Sequence, residues 1–121
     1  ELERDFTYID DIVEGVVRVI DSAPRPDPSR PLASPAVSTA AYRIYNIGNN
    51  RPVKLLAFIR LLEQLLGRKA VLEMLPMQAG DVYRTCADVT DLEQAVGFRP
   101  DTPIETGLAR FVDWYRGYYR V

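Results

Sequence analysis

The sequence predicts an α/β chain in which helices cover a sheet, on three observations. Leu55, Phe58, Ile59, Leu62, Leu65 and Leu66 recur at helical spacing and form one wide apolar face. Runs rich in aromatic and β-branched residues stand at Asp5–Ile9, Tyr42–Ile47 and Ala70–Leu75 and have strand character. Thr90-Asp91-Leu92-Glu93 and Thr102-Pro103-Ile104-Glu105 each carry the spacing that opens a helix.

Composition narrows the function classes. At 121 residues the chain suits one small domain, or a piece of a larger protein. Fifteen basic residues against seventeen acidic ones give a net charge of −2, which argues against a nucleic-acid binder with a basic face. No apolar run approaches the ~20 residues of a membrane span. The chain has no histidine, which excludes Ser-His and Cys-His nucleophilic sites and makes a Cys/His zinc site untenable. Its one cysteine, Cys86, can form no internal disulfide and suits a reducing compartment, so a cytoplasmic location is expected. The first residues, Glu1-Leu2-Glu3-Arg4, hold neither an initiator methionine nor a leader, as expected of an excised fragment.

Taken in order, Asp5–Ile9 predicts a short strand. Asp10 and Asp11 follow as candidate caps, Asp11 having capping-box spacing to Glu14. Ile12, Val13, Val16, Val17 and Ile20 then predict a helix over 11–20. Residues 22–41 carry prolines at 24, 26, 28, 31 and 35, which remove donors and fix φ; a long flexible loop is expected. It does not divide the chain, because what precedes it is too small to fold alone; residues 1–121 are read as one domain. Tyr42–Ile47 predicts an interior strand, closed by Gly48-Asn49-Asn50. The Leu55–Leu66 helix ends at Gly67, and Ala70–Leu75 predicts a further strand closed by Pro76. Thr90 opens a short helix that Gly97 stops. The last helix, with Pro103 at its first position, is expected to bury Ile104, Leu108, Phe111 and Tyr115. Trp114, Tyr115, Tyr118 and Tyr119 are expected to pack against the body rather than to offer a stacking surface.

Between the 70–75 run and the Thr90 helix lies the polar stretch Gln78-Ala79-Gly80-Asp81-Val82-Tyr83-Arg84-Thr85-Cys86-Ala87-Asp88. Gly80 frees the backbone to turn, Asp81 offers an acceptor pair suited to sugar hydroxyls, and Arg84 a planar cation suited to phosphate. The alternative is a solvated surface loop.

Four segments resemble a known family: Arg4-Asp-Phe-Thr-Tyr-Ile-Asp-Asp11, Tyr45-Asn-Ile-Gly-Asn49, Gly80-Asp-Val-x-x-Thr-x-Ala-Asp88 and Phe111-Val-Asp-Trp-Tyr115. In this order and spacing they resemble the C-terminal part of nucleotide-sugar epimerases, which are extended short-chain dehydrogenase/reductases. Met74-Leu-Pro-Met-Gln-Ala-Gly-Asp81 is most similar to UDP-glucuronate 4-epimerases. The resemblance implies a parent enzyme that interconverts UDP-glucuronate and UDP-galacturonate by transient oxidation at C4, and that forms a homodimer. It implies NAD on an N-terminal Rossmann domain and a catalytic Tyr-x-x-x-Lys pair. This chain has no glycine-rich dinucleotide turn, and none of its tyrosines has a lysine four positions on; its only lysines are Lys54 and Lys69. No catalytic, cofactor-binding or metal-binding residue is therefore expected here. What remains resembles the domain that closes over the nucleotide sugar, with one or two strands completing the larger domain's sheet.

Carried over position by position, Arg4 matches the arginine that contacts the UDP diphosphate; the alternative is a structural ion pair with Asp5, Asp10 or Asp11. Asp81 matches the acidic residue near the ribose. Galactose-type enzymes place a second phosphate arginine three residues earlier, where this chain has Gln78, so Gln78 supplies a neutral contact or Arg84 supplies the charge. Thr85 would face the sugar. Other readings are a nucleotide-sugar decarboxylase or dehydratase of the same superfamily, and a non-catalytic binding module.

Overall fold

A computed structural model describes all residues, Glu1–Val121. The elements are β1 (Glu3–Arg4), α1 (Ile9–Asp21), β2 (Val53–Lys54), α2 (Leu55–Leu66), α3 (Thr90–Val96) and α4 (Ile104–Tyr119). The fold is α/β with its sheet reduced to a small remnant. β1 pairs antiparallel with β2, Glu3 opposite Lys54 and Arg4 opposite Val53. On its other side Glu3 forms a parallel bridge with Arg84. There the Glu3 amide donates to the Tyr83 carbonyl at 2.8 Å and the Thr85 amide to the Glu3 carbonyl at 3.2 Å. β1 thus runs between two segments that are far apart in sequence.

The first expected strand is displaced: β1 is Glu3–Arg4, and Ile9 already belongs to α1. Aspartate is a poor strand residue, and the Asp5 carboxylate turns instead toward backbone amides. Asp11 does not cap its own helix, which starts after the extended Tyr8. Its carboxylate accepts from the Thr102 amide and hydroxyl at 3.0 and 2.9 Å. Thr102, so engaged, caps nothing, and α4 begins after Pro103. The Thr90 cap is displaced as well, since Thr90 lies inside α3 and the Asp88 carboxylate accepts its amide at 3.0 Å.

α2 takes the expected bounds and stops at Gly67, whose φ of +68° is the left-handed turn glycine adopts readily. The Arg116 guanidinium of α4 donates to the Leu66 carbonyl at 3.2 Å, placing a cation at the negative end of α2. Tyr42–Ile47 and Ala70–Leu75 form no ladder. Arg43 makes one antiparallel bridge to Val37, the Ala70 amide goes to the Glu63 carboxylate at 2.8 Å, and Val71 is fully exposed. A strand needs a continuous partner; the 42–47 run finds only the Ala36–Val37 corner, where the Ile44 amide donates to the Ala36 carbonyl at 2.9 Å, and the 70–75 run pairs with no strand. Residues 22–41 form neither helix nor named strand and, apart from the Ala36–Val37 contacts with Arg43 and Ile44, are tied mostly to themselves. Asp27 accepts from the Ser29 hydroxyl and amide, and Arg30 donates to the Ser38 carbonyl.

The core is small. Nine of 121 residues are buried, chiefly Val89, Leu92, Leu108 and Val112, and many large apolar side chains stand exposed. α1 turns Gly15 inward, where an added Cβ would lie 3.2 Å from Ile47 Cδ1, and leaves Val13, Val16, Val17 and Ile20 exposed. Phe6 stacks on Phe58 at 4.3 Å between ring centroids, joining the β1 segment to α2. α4 buries Gly107, Leu108 and Val112, whereas Phe111 and Tyr115 are exposed. Nor do Trp114, Tyr118 and Tyr119 pack on the body: the rings meet along the open face, Trp114 stacked on Tyr118 at 5.4 Å and Tyr115 tilted against Tyr119 at 4.6 Å.

Candidate functional site

The polar stretch and the β1 segment meet along one edge. Gln78–Asp81 makes a turn closed by the Asp81 amide on the Gln78 carbonyl at 3.2 Å, with Gly80 at φ +88°. A positive φ at the third turn residue is the reason glycine stands there. The chain then runs beside β1, which brings Arg4 against the loop. Arg4 Nη1 donates to the Glu3 and Val82 carbonyls, both at 2.9 Å, and to Tyr83 at 3.4 Å. Arg4 Nη2 donates to Asp81 Oδ1 at 2.8 Å. The partner of Arg4 is thus Asp81, 77 positions on, and none of the three nearby aspartates. Both side chains keep solvent access, 25% for Arg4 and 40% for Asp81.

The other expected residues are placed around this pair. Thr85 Oγ1 accepts the Asp5 amide at 3.1 Å, so its hydroxyl faces β1. Arg84 reaches Glu3 Oε2 at 3.4 Å and is otherwise open to solvent. Gln78 contributes its backbone carbonyl to the turn and leaves its side chain exposed. Arg4 and Asp81 are brought together; Arg84 and Thr85 meet the neighbouring Glu3 and Asp5 instead, and the Gln78 side chain holds none of them.

Asp5 did not stand out among the candidate ligands, yet it ties the region together. Its Oδ2 accepts from the Asn50 and Ala87 amides at 3.0 and 2.9 Å, and its Oδ1 from Arg51 at 3.3 Å. Asn50 has a φ of +54°, a conformation asparagine tolerates better than most residues. The one signal in the sequence was an aspartate inside an apparent strand, where aspartate is disfavoured.

Two concavities flank the region. One of about 570 Å³ lies beside the polar edge, among Leu2, Leu56, Leu72, Met74, Met77 and Tyr83. The other, about 420 Å³, lies among Phe6, Tyr8, Phe58, Ile104, Leu108 and Phe111 and offers almost no polar group. The first adjoins charged groups and the second does not. No group of three or more His, Cys, Asp or Glu is placed to hold a metal.

No family model matches the chain. Among curated proteins, a probable UDP-glucuronate 4-epimerase of Rhizobium meliloti is 44% identical over 123 residues, spanning 98% of this chain and 36% of that protein. UDP-glucuronate 4-epimerase 5 of Arabidopsis thaliana is 41% identical over 117 residues, spanning 96% of this chain and 26% of that protein. The chain is homologous to the C-terminal part of these epimerases. It spans about a third of their length or less. The solved UDP-glucuronic acid 4-epimerase of Bacillus cereus, in complex with NAD, superposes over 98% of this chain and 31% of its own, with a TM-score of 0.70 at 24% identity. That likeness speaks for the fold, which is the C-terminal portion of an extended short-chain dehydrogenase/reductase. No helix is long and apolar enough to cross a membrane.

Proposed function

We propose that this chain is the nucleotide-sugar-binding part of a UDP-glucuronate 4-epimerase, with Arg4 holding the diphosphate. The observation that carries the reading is the Arg4–Asp81 pair on a solvent-open edge, on the same loop as Arg84 and Thr85. Asp81 occupies Arg4 in the structure, and the energetics favour exchange. A partly exposed ion pair contributes about 0–1 kcal/mol, whereas hydrogen bonds from a charged group contribute about 1.5–3 kcal/mol each. A diphosphate approaching Arg4 would take over the guanidinium and free Asp81 to accept from ribose hydroxyls. Arg84 is close enough to the same loop to supply the second positive charge that Gln78 does not, and Thr85 would lie toward the sugar. The apolar groove beside Tyr83 would shelter the less polar part of the ligand.

NAD and the proton-transferring pair would belong to the rest of the protein, because this chain holds neither a dinucleotide turn nor a Tyr-x-x-x-Lys pair. When bound, NAD would accept and return the C4 hydride; this chain's residues would hold the nucleotide while the sugar turns. The exposed face of α1 and the unpaired Tyr42–Ile47 run would pack against that remaining part. The whole protein would be a cytoplasmic homodimer. The test is to incubate the whole protein with NAD and UDP-glucuronate and follow formation of UDP-galacturonate. Production of a pentose nucleotide would instead identify a decarboxylase, and binding of UDP without turnover a non-catalytic module.

A further inference from the structure

Asp5 accepts three backbone amides from two segments that are remote from it and from each other: Asn50 and Arg51 on one side, Ala87 on the other. Its own amide donates to Thr85 Oγ1. Gly48 packs against it so closely that an added Cβ would lie 3.0 Å from Asp5 Oδ2 and would run into the Ala87 side chain. A carboxylate that takes backbone amides in a close-packed place acts as a fixed brace, because each bond is charge-assisted and its partners cannot swing away. The next residue toward the N-terminus is Arg4, whose guanidinium binds the same loop at Asp81, Val82 and Tyr83.

We propose that Asp5 is the positioning residue of the nucleotide-sugar site. Its carboxylate locks the 85–87 segment and the 49–51 turn to β1, and so sets the register in which Arg4 faces Asp81. It touches no ligand and acts through Arg4. The inference rests on the reading of Arg4 as the diphosphate contact, and its test separates the two.

The test uses the whole protein with UDP as the calorimetric probe, in wild type, Arg4→Ala, Asp5→Asn and the double variant, with NAD titrated separately. Asparagine keeps the size of the side chain but sets an NH₂ against an amide that needs an acceptor. Asp5→Asn is expected to weaken UDP binding about tenfold and leave NAD affinity unchanged. In the Arg4→Ala background it should weaken UDP no further, since the arginine through which it acts is gone. A merely structural role would make the two losses multiply, and that result overturns the proposal, as does wild-type UDP affinity in Asp5→Asn. If Arg4→Ala alone leaves UDP binding intact, the diphosphate reading itself is wrong and the positioning role falls with it. Should Asp5→Asn fail to fold, amide exchange in the wild type decides. UDP is expected to protect Asn50, Arg51 and Ala87 together with Thr85; protection of Thr85 alone refutes the brace.

Discussion

Arg4 is one guanidinium with two possible uses, and the structure shows it in the one that needs no ligand. Its Nη2 lies on Asp81 and its Nη1 on two neighbouring loop carbonyls. In the whole protein, Arg4→Ala should weaken UDP binding by roughly ten- to a hundredfold, the equivalent of one charge-assisted contact. Arg4→Lys should recover only part, because an ammonium keeps the charge and loses the paired geometry. Titration of UDP into both variants measures this; an unchanged affinity with lowered stability would mean that the Asp81 pair is purely structural. Asp88 offers a second check. The hydroxyl and then the amide of Thr90 hold its carboxyl below the ordinary aspartate value. A depressed carboxylate stabilises the fold above its unfolded pKa of about 3.9, and that contribution is lost as pH falls through the lower folded value. The start of α3 should therefore stay intact at pH 5 and loosen only below the ordinary aspartate range. Carboxyl-carbon NMR of Asp88 follows the titration directly, and a midpoint at or above the ordinary value would refute it. Arg4 and Asp81 stood out in the sequence through their charge, but their pairing did not, since the aspartates near Arg4 in sequence were the expected partners. Asp5 was not legible, because its three partners lie 45, 46 and 82 positions away and are main-chain groups that carry no side-chain signature.

Elements were legible where local forces decide them. The α2 helix follows from its own apolar spacing and its own glycine stop, so its bounds needed no tertiary information. Cap signals failed where a distant group competed for them: Asp11 and Thr102 each looked like the cap of its own helix and found the other instead. The strand runs at 42–47 and 70–75 failed for the complementary reason, since β propensity states what a segment tolerates and only a neighbour makes it a strand. The proline-rich loop illustrates the middle case. Its lack of regular structure was evident, but not the internal bonds from Asp27 and Arg30. Amide exchange should find 24–35 the least protected internal segment, save for Asp27, whose amide donates to the Thr39 carbonyl at 2.8 Å, and for Ser29 and Arg30, whose amides both go to Asp27. Uniformly slow exchange across the segment would show that it is anchored by more than these bonds.

For the molecule as a whole, the small core governs behaviour. With Val13, Val16, Val17 and Ile20 exposed on α1 and Val71, Met74 and Leu75 exposed beyond α2, the 121-residue chain presents far more apolar surface than a self-sufficient domain tolerates. Prepared alone, it should bind an apolar dye strongly and self-associate in size-exclusion chromatography; a monodisperse monomer that leaves the dye dark would contradict this. It should also show no turnover of UDP-glucuronate with NAD added, because it holds neither a dinucleotide turn nor a Tyr-x-x-x-Lys pair. The aromatic stack of α4 has an optical consequence. Trp114 is the only tryptophan, it is 55% exposed, and it lies against Tyr118 on the open face of that helix. Emission excited at the red edge of indole absorption therefore comes from one place, and its colour reads the wetness of that face. With the Trp114 signal isolated as the difference between wild type and Trp114→Phe, a red emission in the chain alone that turns blue in the whole protein would mean that another surface lies over α4; one that stays red would mean that the ladder of rings faces water in both.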